Sequence, residues 1–448
     1  MPLLILLLGG GLFFMIYSGF APFRYLKHAI NVLRGKYDDP DDPGDINHFQ
    51  ALSSALAATL GMGNISGVAV AIVMGGPGAL FWMWVSAFVG MASKFFTCTL
   101  AIMYRGKDSR GDLQGGPMYV IREGLGKKWI PLAQLFAVAG FFGCLPMFQA
   151  NQLTQILRDV VLIPAGFANH SSHFGGDFIV GSIIAGIVAL VIFGGIKRIG
   201  EVASKLVPAM VVAYVMSVLY IIGLHFAEIP HYFSLIVTDA FSGRAAAGGA
   251  VGAIILTGVR RAAFSNEAGI GTAPMAHGAA KTKEPIREGL VAMLGPSIDT
   301  LLVCTMTALA ILMTGVWQTT NHDGVTLTLN AFQTAMPTLG TVVLMASVIT
   351  FSLSTMFTYS YYGTKCIGFM IGAERQHWYN YFYIFSIVLG SVASLTAAIS
   401  FIDGMFAIMA VPTMVSSIIL APKVKKAMKE YFQRVAVIER ETEEKNAA

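Results

Sequence analysis

At residues 55–70 the chain reads ALAATLGMGNISGVAV, an apolar stretch interrupted by Gly61, Gly63, Asn64 and Gly67. Glycines weaken a helix and a mid-span asparagine needs partners, so a helix crossing lipid here is expected to unwind. Unwinding frees backbone N–H and C=O groups, which are tolerated at membrane depth only where protein, a bound solute or a wet cavity satisfies them. The two half-helices then offer a positive N-terminal end and a negative C-terminal end at one depth, a field that matches a zwitterion. On that reading an amino acid carboxylate sits on N–H groups near Gly63 and Asn64, and carbonyls from Ala57 to Gly61 coordinate Na⁺ or the α-ammonium. The competing reading keeps the helix whole and uses the glycines for close packing.

Other polar residues fall inside apolar stretches. Residues 148–152 read FQANQ, placing three amides mid-helix where each must find a partner. Gln149 and Gln152 lie one turn apart and either contact a solute or bond amides on neighbouring helices. Between 335 and 365, Thr350, Ser352, Ser354, Thr355 and Thr358 make a hydroxyl stripe. Neutral oxygens suit Na⁺, which makes Ser354 and Thr355 ion-site candidates, while Ser and Thr in such helices also bond their own backbone. Intramembrane charges are few: Lys94 and Asp299, expected to pair across helices, and Asp403, expected to cap an outer helix end. Arg260, Arg261 and Glu267 are expected at the cytoplasmic end of a span, as a gating ion pair or as anchoring charges. Cys98, Cys144, Cys304 and Cys366 have no CxxC spacing and read as core thiols. No HExxH, GxSxG or P-loop string occurs, so nothing points to an enzyme.

The elements that position these residues follow from composition. With 448 residues, 55% hydrophobic and 12% charged, at a mean hydropathy of +0.66, the chain is expected to be an all-α polytopic membrane protein. Stretches of about 20 apolar residues, enough to span hydrocarbon, occur near 2–20, 49–74, 77–104, 130–163, 177–194, 206–225, 246–264, 289–314, 335–365, 379–399 and 400–420. The first lacks the basic start and cleavage site of a signal peptide and reads as a retained helix. Loops on one side carry 27 of the 30 lysines and arginines, which places the N-terminus outside and the C-terminus in the cytoplasm. The net charge of +5 is thereby explained without a nucleic acid partner. Residues 21–48 are expected to include a helix lying on the cytoplasmic surface, and 421–448 a cytoplasmic tail with a similar helix at 423–440. The ten spans after the first divide into 49–225 and 246–420. Five spans per half forces opposite topology, and each half opens on a glycine-interrupted span, the second through AAAGGAVGAIILTG.

The strings ALAATLGMGNISGVAVAI, GDLQGGPMYVIREGLG, RRAAFSNEAGIGTAPMAHGAAKT, REGLVAMLGPSIDTLLVCTMTAL and STMFTYSYYG resemble those of the alanine or glycine to cation symporters over nearly the whole chain. The resemblance implies a leucine-transporter-like fold of five plus five inverted spans with one extra N-terminal helix. It implies a substrate surrounded by Gly61, Gly63, Asn64, Gln149 and the Gly249 to Gly252 region, including Gly252, with Tyr359 at the pocket wall. It further implies sodium held between carbonyls of Ala57 to Leu60 and the hydroxyls of Ser354 and Thr355. Met62, Tyr359 and Thr97 stand where many members have Thr, Trp and Glu, which leaves substrate size less fixed than amino acid transport itself. The chain also begins directly in apolar sequence, earlier than the resemblance leads us to expect, as a trimmed start would.

The expectation is a sodium-coupled symporter for small neutral amino acids, with Na⁺ as the co-transported ion, the bilayer as surroundings and no obligatory protein partner. A proton-coupled carrier of the same fold, using Asp299 or Lys94, and a channel or sensor are the alternatives. A channel requires a continuous polar stripe that these spans lack.

Overall fold

The computed structural model describes residues 2–169, 173–241, 251–319 and 323–447. Along the chain, α1 (Gly10–Tyr17) and the surface helix α2 (Leu26–Leu33) precede a bent pair, α3 (His48–Thr59) and α4 (Met62–Gly75). Then come α5 (Gly78–Met103), α6 (Ile130–Gly143), α7 (Met147–Leu157), α8 (Phe174–Ile192), α9 (Gly195–Leu224) and α10 (Ile229–Phe241). A second set follows: α11 (Val251–Asn266), α12 (Ala273–His277), α13 (Pro285–Ala292), α14 (Thr305–Met313), α15 (Gly324–Ala335), α16 (Gly340–Ile371), α17 (Trp378–Val392) and α18 (Leu395–Ala447). Among the described residues seven helical stretches are long and apolar enough to cross a bilayer, and the bent pair makes an eighth. Three of the expected spans contain shorter helices, α1, α11 and α17. The only strands among the described residues are Gly106–Lys107 and Leu113–Gln114, a small antiparallel hairpin.

Burial sorts interior helices from lipid-facing ones. The apolar stretch of α5 is 89% buried, against 28% for the α9 span. On α8, Ile179, Ile183, Ile187 and Leu190 are exposed at helical spacing, and on α9 so are Val212, Met216 and Leu219. Such stripes suit contact with lipid tails. The bent pair is buried along most of its length, so its interruption is surrounded by protein.

Local chemistry explains where the bent pair starts and breaks. Asn47 and Gln50 form a reciprocal capping box at the start of α3, at 2.8 and 3.1 Å. Halfway along, Leu60 (ψ 85°) and Gly61 (φ −144°, ψ −151°) leave helical space, and the axis bends by 40°.

A further interruption lies beyond the glycine run. Gly249 lies outside the described residues, and Gly252 stays within α11 with open space around it. The chain instead leaves the helix after Asn266 and resumes at Ala273, through left-handed Glu267 (φ 54°), Gly269 (φ 82°) and Gly271 (φ 108°). Glycines facing open space merely lower helix propensity, whereas these positive φ values end the helix outright. The two broken spans run antiparallel, because the first residue of α3, His48, and the last of α12, His277, meet on one carboxylate, Glu288. The last helix also differs from expectation: α18 continues from the span through Pro412 and Pro422, with no separate tail helix.

Candidate functional site

The first break is built around Asn64. Its Oδ1 accepts from the Gly61 N–H at 3.0 Å, and its Nδ2 donates to Ser265 Oγ at 3.2 Å and to the Asp299 carbonyl at 3.3 Å. Because the Gly61 N–H turns to a side chain, and the Asn64 N–H turns to the Gly61 carbonyl at 3.2 Å, the carbonyls of Ala57 and Leu60 lose their usual helical donors. Thr355 Oγ1 on α16 stands 2.3 Å from where a Cβ on Gly61 would be. That hydroxyl also donates to the Phe351 carbonyl at 3.0 Å, leaving its lone pairs directed at the break. Ser354 donates to the same carbonyl and turns towards Met210 on α9. Two freed carbonyls and a hydroxyl on adjoining elements are the donor set a hard, weakly charged cation takes.

The amides of α7 divide into bonded and free. Gln152 Oε1 accepts from Ser66 Oγ and from the Val325 N–H, its Nε2 donates to Asn151 and Gln155, and Asn151 donates to the Ala393 carbonyl at 2.6 Å. These amides tie α7 to α4, α15 and the end of α17. Gln149 differs: its Oε1 is buried and has no partner. A buried acceptor left unpaired costs about 1–3 kcal/mol, which makes Gln149 Oε1 an acceptor open to a donor.

An aromatic lid lies beside the first break. Cβ positions on Gly63 and Gly67 would stand 3.2 and 3.7 Å from the Phe264 ring. Phe148 meets Phe264 edge to face at 4.8 Å, and the Arg261 guanidinium lies 5.6 Å from the Phe264 ring centre while pairing with Asp403 at 2.5 Å. Arg260 and Arg261 line a 240 Å³ cavity with Val70, Met74 and Asp403. They therefore sit at the end of the bundle where α4 finishes, opposite Lys281 and Asp42, and not at the cytoplasmic end assigned from sequence. Sequence reasoning missed Phe264 because an apolar residue beside two arginines reads as a helix end; the RRAAF spacing placing an aromatic three residues after Arg261 was the available signal.

The second break is braced by its own acid. Glu267 accepts from the hydroxyls of Tyr359 and Thr272, so the Tyr359 hydroxyl is committed to protein. Lys94 and Asp299 are both buried but make no ion pair with each other, which corrects the expected bridge. Asp299 Oδ1 instead accepts from Ser265 and from Thr300, and Oδ2 is buried without a partner. The Ser265 hydroxyl from α11 and that of the adjacent Thr300 hold the carboxylate. Gly61, Gly63, Asn64 and Gln149 are buried between that cavity beside Arg261 and one of 580 Å³ at the opposite end, bounded by Asp45, Arg105, Gly278, Ser360, Lys365 and Asn380.

Two antiparallel membrane spans that break against one another halfway along, sealed between cavities at opposite ends, define a secondary transporter. The fold matches the crystal structure of MhsT in complex with L-phenylalanine at a TM-score of 0.59, with 14% identity, over 83% of this chain and 88% of that one. Residues 1–446 match the sodium:alanine symporter family. An uncharacterized transporter of Haemophilus influenzae is 40% identical, covering 97% of this chain and 94% of its own. The sodium/alanine symporter AgcS of Methanococcus maripaludis is 38% identical, covering 99% and 96%. The chain belongs to the sodium:alanine symporter family. It is a multi-pass membrane carrier for cation-coupled amino acid symport and not an enzyme, and its ion is cargo rather than a cofactor.

Proposed function

We propose that this protein moves a small neutral amino acid, alanine or glycine, into the cell together with Na⁺ by alternating access. The carrying observation is the seat at Gly61, where Thr355 occupies the place of any side chain and the Ala57 and Leu60 carbonyls are released from the helix. Sodium sits between those carbonyls and Thr355, with Ser354 on the same turn of α16. The substrate carboxylate rests at the N-terminal end of α4, near the Gly63 N–H, where the helix dipole favours an anion; the Asn64 N–H is held by the Gly61 carbonyl. Gln149 Oε1 then accepts from the α-ammonium and gains the donor it lacks. Phe264, close against Gly63, is the wall proposed to restrict the substrate side chain to a small one. Gly252, on an open part of α11, is left out of this pocket, and Tyr359 acts through Glu267. The kinship with a sodium/alanine symporter supports the choice of ion and substrate. The basic loops support an N-terminus outside and a C-terminus in the cytoplasm.

A proton-coupled reading has one observation in its favour, the buried Asp299 Oδ2 without a partner. Uptake of radiolabelled alanine into proteoliposomes separates the two. A sodium gradient at fixed pH is expected to drive accumulation, with glycine competing and phenylalanine not. Accumulation driven by a pH gradient without sodium contradicts the proposal.

A further inference from the structure

A second buried cluster lies at the inner end of both broken spans. Glu288 on α13 is fully buried, and its two oxygens accept from His48 Nδ1 and His277 Nδ1. An ionised carboxylate only accepts, so in that form each imidazole carries its hydrogen on Nδ1. His277 Nε2 is buried without a partner, and His48 Nε2 stands 3.9 Å from Asp38 Oδ1. The other charged or titratable groups around the cluster are Arg287, Arg105 and Cys98. Arg105 spends its guanidinium on the carbonyls of Pro43, Gly278, Ala280 and Thr282, and Arg287 donates to the Tyr37 carbonyl at 2.8 Å. Among the described residues the ion pairs of Glu288 are those with His48 and His277. A buried carboxylate needs a counter-charge; the guanidiniums of Arg105 and Arg287 lie nearby, and the one in hydrogen-bond contact is a proton on these imidazoles.

We propose that His48, Glu288 and His277 form a proton-binding latch: a proton shared among them ties the inner ends of both broken spans to α13, and its loss lets α3 part from α12 and α13. The residues just before α3 are zipped to the α12–α13 loop, Asp45 N–H to the Ala279 carbonyl at 2.9 Å and Ile46 beside Ala280, so the parting is a pivot of α3 about this fixed end. The sign follows from the imidazole. While an imidazole carries a second proton its bond to Glu288 is an ion pair; once that proton leaves, a neutral N–H still donates to the carboxylate but the buried charge loses that counter-charge. The latch therefore holds in acid and loosens as pH rises. Its consequence for transport, easier opening of the inner face at alkaline pH, rests on the alternating-access reading above.

The test is hydrogen exchange of the full chain in lipid nanodiscs, without sodium or amino acid, at about pH 6 and about pH 8. Rates are corrected for intrinsic exchange. In the wild type the amides of 48–59 are expected to lose protection severalfold at the higher pH. A double variant, His48→Gln with His277→Gln, keeps donors that cannot titrate and is expected to show equal protection at both. An unchanged wild-type ratio overturns the latch, as does a double variant that retains the wild-type ratio. The wild-type arm decides by itself if the double variant does not fold. Since no transport is read, failure here leaves the symport reading intact, and failure of sodium-driven uptake leaves the latch intact.

Discussion

Gly61 is the residue at which conformation and chemistry coincide. A methyl group there would lie 2.3 Å from Thr355 Oγ1, so Gly61→Ala must push α16 away or refold the break, an overpacking cost of about 1–3 kcal/mol. We expect it to insert and fold yet lose sodium-driven uptake, as read by surface-exposed protein against alanine accumulation. Gln149→Ala is expected to weaken alanine binding by about tenfold, or 1.4 kcal/mol, while Gln152→Ala, which unties three elements, is expected to lower thermal stability instead. A thermal melt alongside a binding isotherm separates the two. Gly61, Asn64 and Thr355 were legible in the sequence because glycine, amide and hydroxyl are costly at membrane depth and stand out there. Which hydroxyl faces the break was not legible: Thr355 and Ser354 are adjacent, and α9, which draws Ser354 towards Met210, sits far away along the chain.

At the scale of elements the two broken spans behave differently in sequence and alike in space. The first was legible as a spanning stretch with its helix breakers at the centre. The break at Glu267–Thr272 was not legible, because SNEAGIG looks like a polar loop and its hydrogen-bond partners come from elsewhere. Glu267 is satisfied by Tyr359 on α16, and Asn266 by Thr300. Local patterns cannot show that a polar segment is buried by distant helices. The prediction that belongs here contrasts two glycines. Gly271→Ala, at φ 108° and with its Cβ 2.4 Å from Thr413 Oγ1, is expected to abolish uptake, whereas Gly252→Ala, in open space, is expected to leave it within about twofold. Equal effects on uptake rates would show that the break is not at Glu267–Thr272. The lid formed by Phe264 and Arg261 supplies a further contrast. Arg261→Lys keeps charge without the planar fork that meets Asp403, and it is expected to raise alanine efflux from preloaded vesicles.

Across the whole molecule, composition alone marked a multi-span membrane protein, since so apolar a chain has no soluble alternative of this size. The bent pair and the antiparallel arrangement of the breaks give that bundle a sealed centre between two cavities, which alternating access requires. Sodium is what the account asks to bridge α3 and α16 at that centre, so its removal is expected to loosen both together. The most direct measurement is the sodium dependence of alanine binding to purified wild type and to Thr355→Ala. The account predicts binding only with sodium in the wild type, and a half-saturating sodium concentration at least about tenfold higher in the variant. A sodium dependence indistinguishable from wild type in Thr355→Ala would contradict it.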